Sequence, residues 1–352
     1  MAVLLAACGG AAAPSPATPV QVEPEGGDPP ESSASTAPTV SGTLLVHRNR
    51  PGEAPRLCEV APAGSELACD TVSGRFAGPT RPGQPFIAAI EVVEDAAGHR
   101  ERLVRWDGPG APVTELLGFQ DQVRDPAFSA EGRLVVAHMV DGVSVVSEVG
   151  GEGTERLLDH PAGTFEPSFG ADGALLVAAS RDGNAELYRL AADPAADGHG
   201  LVRLTEEPAD DMRPRESSRG LLGFLSDRDG TRRVWLQARQ GARAIPVASP
   251  DTHVDLAFSP DGDRLAVVGG PAPSEVSVRI VDLSSGEERV RIGGASFTAE
   301  QPAWSADGAF IALTCRRPDQ PPGVCVVDSE TGDVVSEIVV PGEELWLPRW
   351  RP

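Results

Sequence analysis

Four stretches of this chain align with one another without a gap. From Asp125 the sequence reads DPAFSAEGRLVVAH, from Glu166 EPSFGADGALLVAAS, from Asp255 DLAFSPDGDRLAVVG and from Gln301 QPAWSADGAFIALTC. Each carries Pro or an apolar residue, a small residue, an aromatic, a turn ending in Asp-Gly or Glu-Gly, and then an apolar run. Weaker copies fill the intervals. RPRESSRGLLGFLS keeps Pro214 and Gly220 but places Glu216 where the aromatic belongs; GPTRPGQPFIAAIE keeps Pro79 and places Arg81 there; LPRWRP keeps Pro348 and Trp350 and then ends. The aromatic-equivalent positions are 81, 128, 169, 216, 258, 304 and 350, separated by 41 to 47 residues. A unit of that length cannot bury its own apolar face and must stack on its neighbours.

A period in the forties with short strands and tight turns is that of a four-stranded blade, so the expected fold is an all-β propeller. Composition agrees: 39 Gly and 33 Pro punctuate short apolar runs. The copy at Asp255 shows the strands in full. Strand A ends near Phe258, Arg264 to Val268 form strand B, Val276 to Asp282 strand C, and Glu288 to Ile292 strand D. Seven strand-A positions give seven blades, with six as the alternative because the copies at Pro79 and Pro214 are degenerate. The last unit stops after strand A, whereas Ser41 to Val46 resembles a strand B without its strand A. Pairing Leu347–Arg351 with Thr43–Arg48 would close the ring and remove both free edges.

The repeat resembles the TolB-like, WD-repeat-like propeller unit, whose pattern runs Pro-x-Trp-Ser-Pro-Asp-Gly, over roughly residues 41 to 352. The resemblance implies an envelope protein-interaction module. It is weaker for function than for fold, because propellers host binding proteins and enzymes alike.

Leu5-Ala6-Ala7-Cys8 resembles the bacterial lipobox, which implies lipid attachment at Cys8 and export to a membrane-anchored position on the periplasmic or outer-surface side. No basic residue precedes the apolar run, and the run is short, so a longer leader upstream is expected. Residues 1–8 then read as part of a signal, 9–40 as a disordered Ala/Pro/Ser-rich linker, and 41–352 as the propeller. Four further cysteines allow three pairings. The blade reading selects Cys58–Cys69, facing each other across a hairpin centred on Ala63-Gly64, and Cys315–Cys325, opposite across a connection centred on Gln320. Both bonds require an oxidising compartment.

The formal charge of −22 argues against a nucleic-acid partner. The six histidines show no metal-pair spacing, and no nucleophile elbow or phosphate loop is present. No catalytic residue, metal or cofactor is therefore expected. Ser226–Gly230 and Ser180–Asn184 look faintly like calcium loops but read as hairpin turns. One constellation stands out. An acidic residue precedes the Pro-type position at Asp125, Glu166 and Asp255, with Asp211 and Glu300 near the equivalent place. These five are expected to form a partial negative ring at the channel mouth, interrupted by Arg213, which would receive a basic peptide or cation; the alternative is that each caps backbone N–H groups at the start of strand A. The leading function is a monomeric, non-catalytic binding scaffold for a protein partner in the cell envelope. A channel enzyme (hydrolase or lyase) is the second reading, and a glycan-binding module using Trp106, Trp235 or Trp346 the third.

Overall fold

The structure is a computed structural model that describes residues 40–352 except 65, 77–83, 96–97, 121, 151–152, 159–161, 182, 191–200, 239–240 and 250. The chain separates into two units, Met1–Ala37 and Pro38–Pro352, and only the second is described. Cys8 and the linker up to residue 39 lie outside the described residues, as do Pro79, Arg81, Asp182, His160 and His199.

The second unit is a seven-bladed β-propeller. Blade one takes its innermost strand from the end of the chain: Glu344–Trp350 pairs antiparallel with Leu44–Asn49, followed outward by Arg56–Val60 and Ala68–Phe76. Blades three to seven are separate four-stranded sheets beginning at Val123, Thr164, Asp211, Thr252 and Thr298. Blade two has no separate innermost strand among the described residues. Instead the long strand Ala68–Phe76 serves twice, as the outer strand of blade one and, through Gly74–Phe76, as the partner of Ile87–Asp95. The innermost pairing of blade two therefore starts ahead of the position expected around Pro79. Gly74 is where the strand changes sheets. A Cβ there would press into the Ile90 carbonyl oxygen, so only glycine permits the close approach. In blade six the strands are Arg264–Gly270, Ser277–Asp282 and Glu288–Gly293, close to the sequence expectation.

The core is not one mass but seven slabs, one between each pair of neighbouring blades. Leu44, Val46, Phe310, Ala312, Leu345 and Trp350 join blades seven and one, which closes the ring. The repeat explains the slabs residue by residue. The aromatic of strand A packs back on the preceding blade, and where it is Trp it also hydrogen-bonds there: Trp304 Nε1 donates to the Ala257 carbonyl (3.1 Å) and Trp350 Nε1 to the Ala303 carbonyl (2.9 Å). Glu216, which replaces the aromatic in blade five, reaches back in the same way. It accepts from the Ala171 N–H (3.0 Å) and pairs with Arg189 (3.2 Å) of blade four. The Asp-Gly turns follow their backbone needs. Ser259 Oγ accepts from the Arg264 N–H (2.9 Å), and Gly262 takes φ +76°, a conformation that costs a side-chain-bearing residue.

Both expected disulfides are formed, Cys58–Cys69 and Cys315–Cys325. Cys58 and Cys69 are direct ladder partners. Cys315 and Cys325 are not opposite: Cys315 faces Gly323 and Cys325 faces Leu313. The connection turns one residue earlier than its centre suggests, with the Gln320 N–H donating to the Arg317 carbonyl (3.3 Å), so the bond runs diagonally across the ladder. Ser226–Gly230 is a turn between strands of blade five, with the Gly230 N–H donating to the Asp227 carbonyl (2.8 Å).

Candidate functional site

The innermost strands surround a cavity of about 420 Å³. Its lining is set by one backbone device repeated around the ring. Asp125, Glu166, Arg213, Gln301 and Leu347 all have positive φ, between 48° and 59°, and each immediately precedes a proline. Proline has no N–H to give to the neighbouring strand. Ladder pairing accordingly skips from Arg124 to Ala127, Phe165 to Ser168, Met212 to Arg215 and Glu300 to Ala303, a bulge in each strand. A left-handed residue that is not glycine is strained by about 1–3 kcal/mol, and such residues cluster where a fold presents function. All five line the cavity. Blade six, with Leu256 in place of proline, presents Asp255 there without positive φ.

Of the five carboxylates expected at this mouth, Asp125, Glu166, Asp255 and Glu300 line the cavity. Asp211 does not. It lies two residues before the left-handed position, its residue is fully buried, and it pairs with Arg228 at 2.5 Å. The residues in the ring position of blades five and seven are Arg213 and Gln301, not Asp211 and Glu300.

Two of the carboxylates bind backbone. Glu166 Oε2 accepts from the Arg213 N–H of the next blade (2.6 Å), and Asp255 Oδ1 from the Leu256 N–H (2.9 Å). Gln301 repeats the Glu166 arrangement, its Oε1 accepting from the Leu347 N–H (3.0 Å) of blade one. Thus a side chain in one blade fastens the strained residue of the next. Arg213 bridges Asp255 (3.0 Å) and Glu166 (3.9 Å). Burial works against its charge, but Asp255 and Glu166 hold its pKa above the ordinary arginine value. Burial raises the Glu166 carboxyl above its ordinary value, and the charge of Asp125 adds to the effect.

The cavity is not acidic overall. Arg75, Arg124, Arg213, Arg215 and Arg349 face those four carboxylates. Arg75 is held by Glu101 at 2.8 Å. Arg215 and Arg349 were not anticipated as site residues. Both follow the proline of their strand, where blades three, four, six and seven carry Ala127, Ser168, Ala257 and Ala303. At this position only the two long cations reach the cavity lining. Arg215 Nη1 donates to the Pro214 carbonyl (2.9 Å) and Arg349 Nη1 to that of Pro348 (2.8 Å). Burial pushes the Arg349 pKa below its ordinary value; Asp255 counteracts this and the like charge of Arg215 adds to it. His47, on the strand paired with Glu344–Trp350, is buried, and desolvation with the charges of Arg349 and Arg75 lowers its pKa to about 3. Bringing two arginines together in a confined space is unfavourable unless an anion is shared between them.

No family model and no curated sequence matches the chain. Solved structures do. TolB from Acinetobacter baumannii superposes with a TM-score of 0.54 at 15% identity, over 91% of this chain and 89% of that one. The fold is that of a TolB-like β-propeller. Other solved propellers match as well. The periplasmic gluconolactonase of Pseudomonas aeruginosa matches with a TM-score of 0.55 at 17% identity, over 87% of this chain and 99% of that one. A puromycin-hydrolyzing peptidase of Mycobacterium tuberculosis matches with a TM-score of 0.62 at 16% identity, over 85% of this chain and 52% of that one, so this chain spans about half of the peptidase. At these identities the likeness concerns the fold, which binding proteins and enzymes share.

Proposed function

We propose that this TolB-like propeller is an exported, lipid-anchored, non-catalytic scaffold that binds a partner of the cell envelope through its channel mouth. Two disulfides inside blades support an oxidising compartment. The observation that carries the reading is that Arg215 and Arg349 both line the cavity, from a position where blades three, four, six and seven carry only Ala or Ser. Guanidinium groups bind carboxylates in planar, two-point fashion. The partner therefore presents a carboxylate, from an acidic side chain or a chain terminus, to Arg215 and Arg349. Its basic groups face Asp125 and Glu300 at the same mouth. This replaces the purely basic ligand suggested by the acidic residues alone, because five arginines share the cavity with them.

The test is a titration of short acidic peptides against the full chain. Arg215→Gln together with Arg349→Gln should weaken binding by about a hundredfold or more, since each charge-assisted bond contributes about 1.5–3 kcal/mol. Asp125→Asn should change affinity little for an acidic peptide and more for one carrying Lys or Arg beside the acid. Equal affinity of the double variant and the parent would refute the assignment.

A further inference from the structure

Blades four and five are cut short at their outer edge. Among the described residues their outer strands are Leu201–Arg203 and Ile245–Pro246, three and two residues, where every other blade has at least five. Beside the shortened edges lies a cleft of about 600 Å³, between Arg203–Glu207 of blade four and the Gly241–Ala244 turn of blade five. That volume is in the range of small-molecule sites. One wall is the strand Arg233–Gln237, which brings Trp235 and Gln237 to the cleft. They are two residues apart on a strand, hence on one face and about 6.6 Å apart along it.

Trp235 is 9% exposed and Gln237 5%. The indole Nε1–H of Trp235 and the Oε1 of Gln237 nevertheless have no hydrogen-bond partner among the described residues. Gln237 is oriented by its other end, Nε2 donating to the Ala242 carbonyl (2.8 Å). A buried donor and a buried acceptor, both unsatisfied and both on a cleft wall, are a standing cost that packing alone gives no reason to keep. The nearest cations are already paired. Arg228, 4.9 Å from the Trp235 ring centre, is held by Asp211 (2.5 Å) and Glu207 (3.4 Å), and Arg203 by Glu186 (2.9 Å). The demand at the wall is thus for a neutral group that accepts one hydrogen bond and donates another. A hydroxyl does both, and a ring bearing several hydroxyls does so at two points.

We propose that this cleft binds a neutral polyhydroxylated ligand, a sugar unit either free or within a glycan, with its hydroxyls accepting from Trp235 Nε1 and donating to Gln237 Oε1. Entry requires the Gly241–Ala244 turn to lift, because both atoms are shielded from solvent. Among the described residues the turn is tied by the Gln237–Ala242 bond, by the packing of Ala244 against Trp235 and Phe224, and by the short ladder of Ile245 and Pro246 with Leu236 and Trp235, which the Val247 N–H on the Val234 carbonyl (2.8 Å) extends.

The test follows the Trp235 indole N–H resonance in the ¹⁵N-labelled full chain, identified by its loss in Trp235→Phe. One arm adds free maltose and N,N′-diacetylchitobiose, each to about 10 mM, a concentration that saturates even a weak site. The other adds soluble peptidoglycan strands. A shift of that resonance in the first arm identifies a free sugar, and in the second alone a polymer. In either case Trp235→Phe, followed through the backbone N–H resonances of Gly241–Ala244 that shift with the indole in the parent, should weaken binding about tenfold, one lost hydrogen bond's worth. Should Trp235→Phe melt low, Ala242→Phe, which fills the cleft at its turn, must abolish the shift. No shift in either arm, or undiminished binding by a folded variant, would overturn the proposal.

Discussion

At the seam between blades seven and one, Trp350 packs among Phe310, Ala312, Leu345 and Val46 and hands its indole N–H to Ala303. At the junction of blades four and five the corresponding residue is Glu216, which reaches the same distance back by ion pair and hydrogen bond. The seam is flanked by a disulfide in each of its blades and by full outer strands. The junction is threaded with buried charge instead: Glu186 receives Thr205 Oγ1 at 2.6 Å and Arg203 at 2.9 Å, and Asp211 receives Arg228. An apolar link tolerates small errors of fit, whereas a buried charged link must be satisfied at every atom. It is the junction, not the seam, that leaves polar atoms unpaired beside a cleft. Where the repeat degenerates, the fold keeps its geometry and gains room for binding.

The largest test of this contrast is Trp350→Ala. It removes an inter-blade anchor and loosens the closing strand, and should cost about 3–5 kcal/mol in denaturant unfolding. Replacing Cys58 and Cys69 together by Ala should cost less, about 2–3 kcal/mol for so short a loop. Glu216→Ala should cost about 1 kcal/mol, removing the acceptor of the Ala171 N–H and one of the two carboxylates on Arg189, the other being Asp172. If Glu216→Phe restores that stability, the polar link is a substitute for the aromatic; if it destabilises further, the junction has been rebuilt around charge. Acid should act at the seam through His47 and beyond the junction, in blade six, through His253, each with a pKa lowered to about 3, chiefly by burial. Both are neutral when folded and bind a proton more readily when unfolded. Stability is therefore full above about pH 6.5 and falls as pH drops toward 3, by about 1.4 kcal/mol per unit for each histidine. His47→Gln should flatten half of that slope in melting curves taken from pH 7 to 5. Trp304→Phe, which deletes the bond to Ala257 and trims the ring that stacks under Arg264, should cost about 1 kcal/mol.

The Asp-Gly turns and the aromatics made the blades legible, because each repeat states its own strand boundaries. The closing strand was legible because Pro348 and Trp350 repeat the strand-A pattern while Thr43–Val46 reads as a strand B without its inner partner. The innermost pairing of blade two was not: a strand that serves two sheets has no turn of its own to announce it. The channel site was half legible. Asp125, Glu166 and Asp255 stand directly before the Pro-type position and could be read by spacing. Asp211 could not be placed by proximity alone, since a bulge at Arg213–Pro214 resets which residues face inward. Arg215 and Arg349 carried a signal that only comparison of the repeats reveals: a long cation where every well-formed copy has Ala or Ser.

The account stands on the channel mouth as the binding face, and a pair of photo-crosslinking residues tests it in intact cells. Val254 is 43% exposed at the mouth and Ile245 59% exposed on the outer edge of blade five. Val254→benzoylphenylalanine should yield a discrete adduct that disappears when Arg215→Gln and Arg349→Gln are added, and Ile245→benzoylphenylalanine should not yield that adduct. The same adduct from both positions, or none from 254, would contradict it.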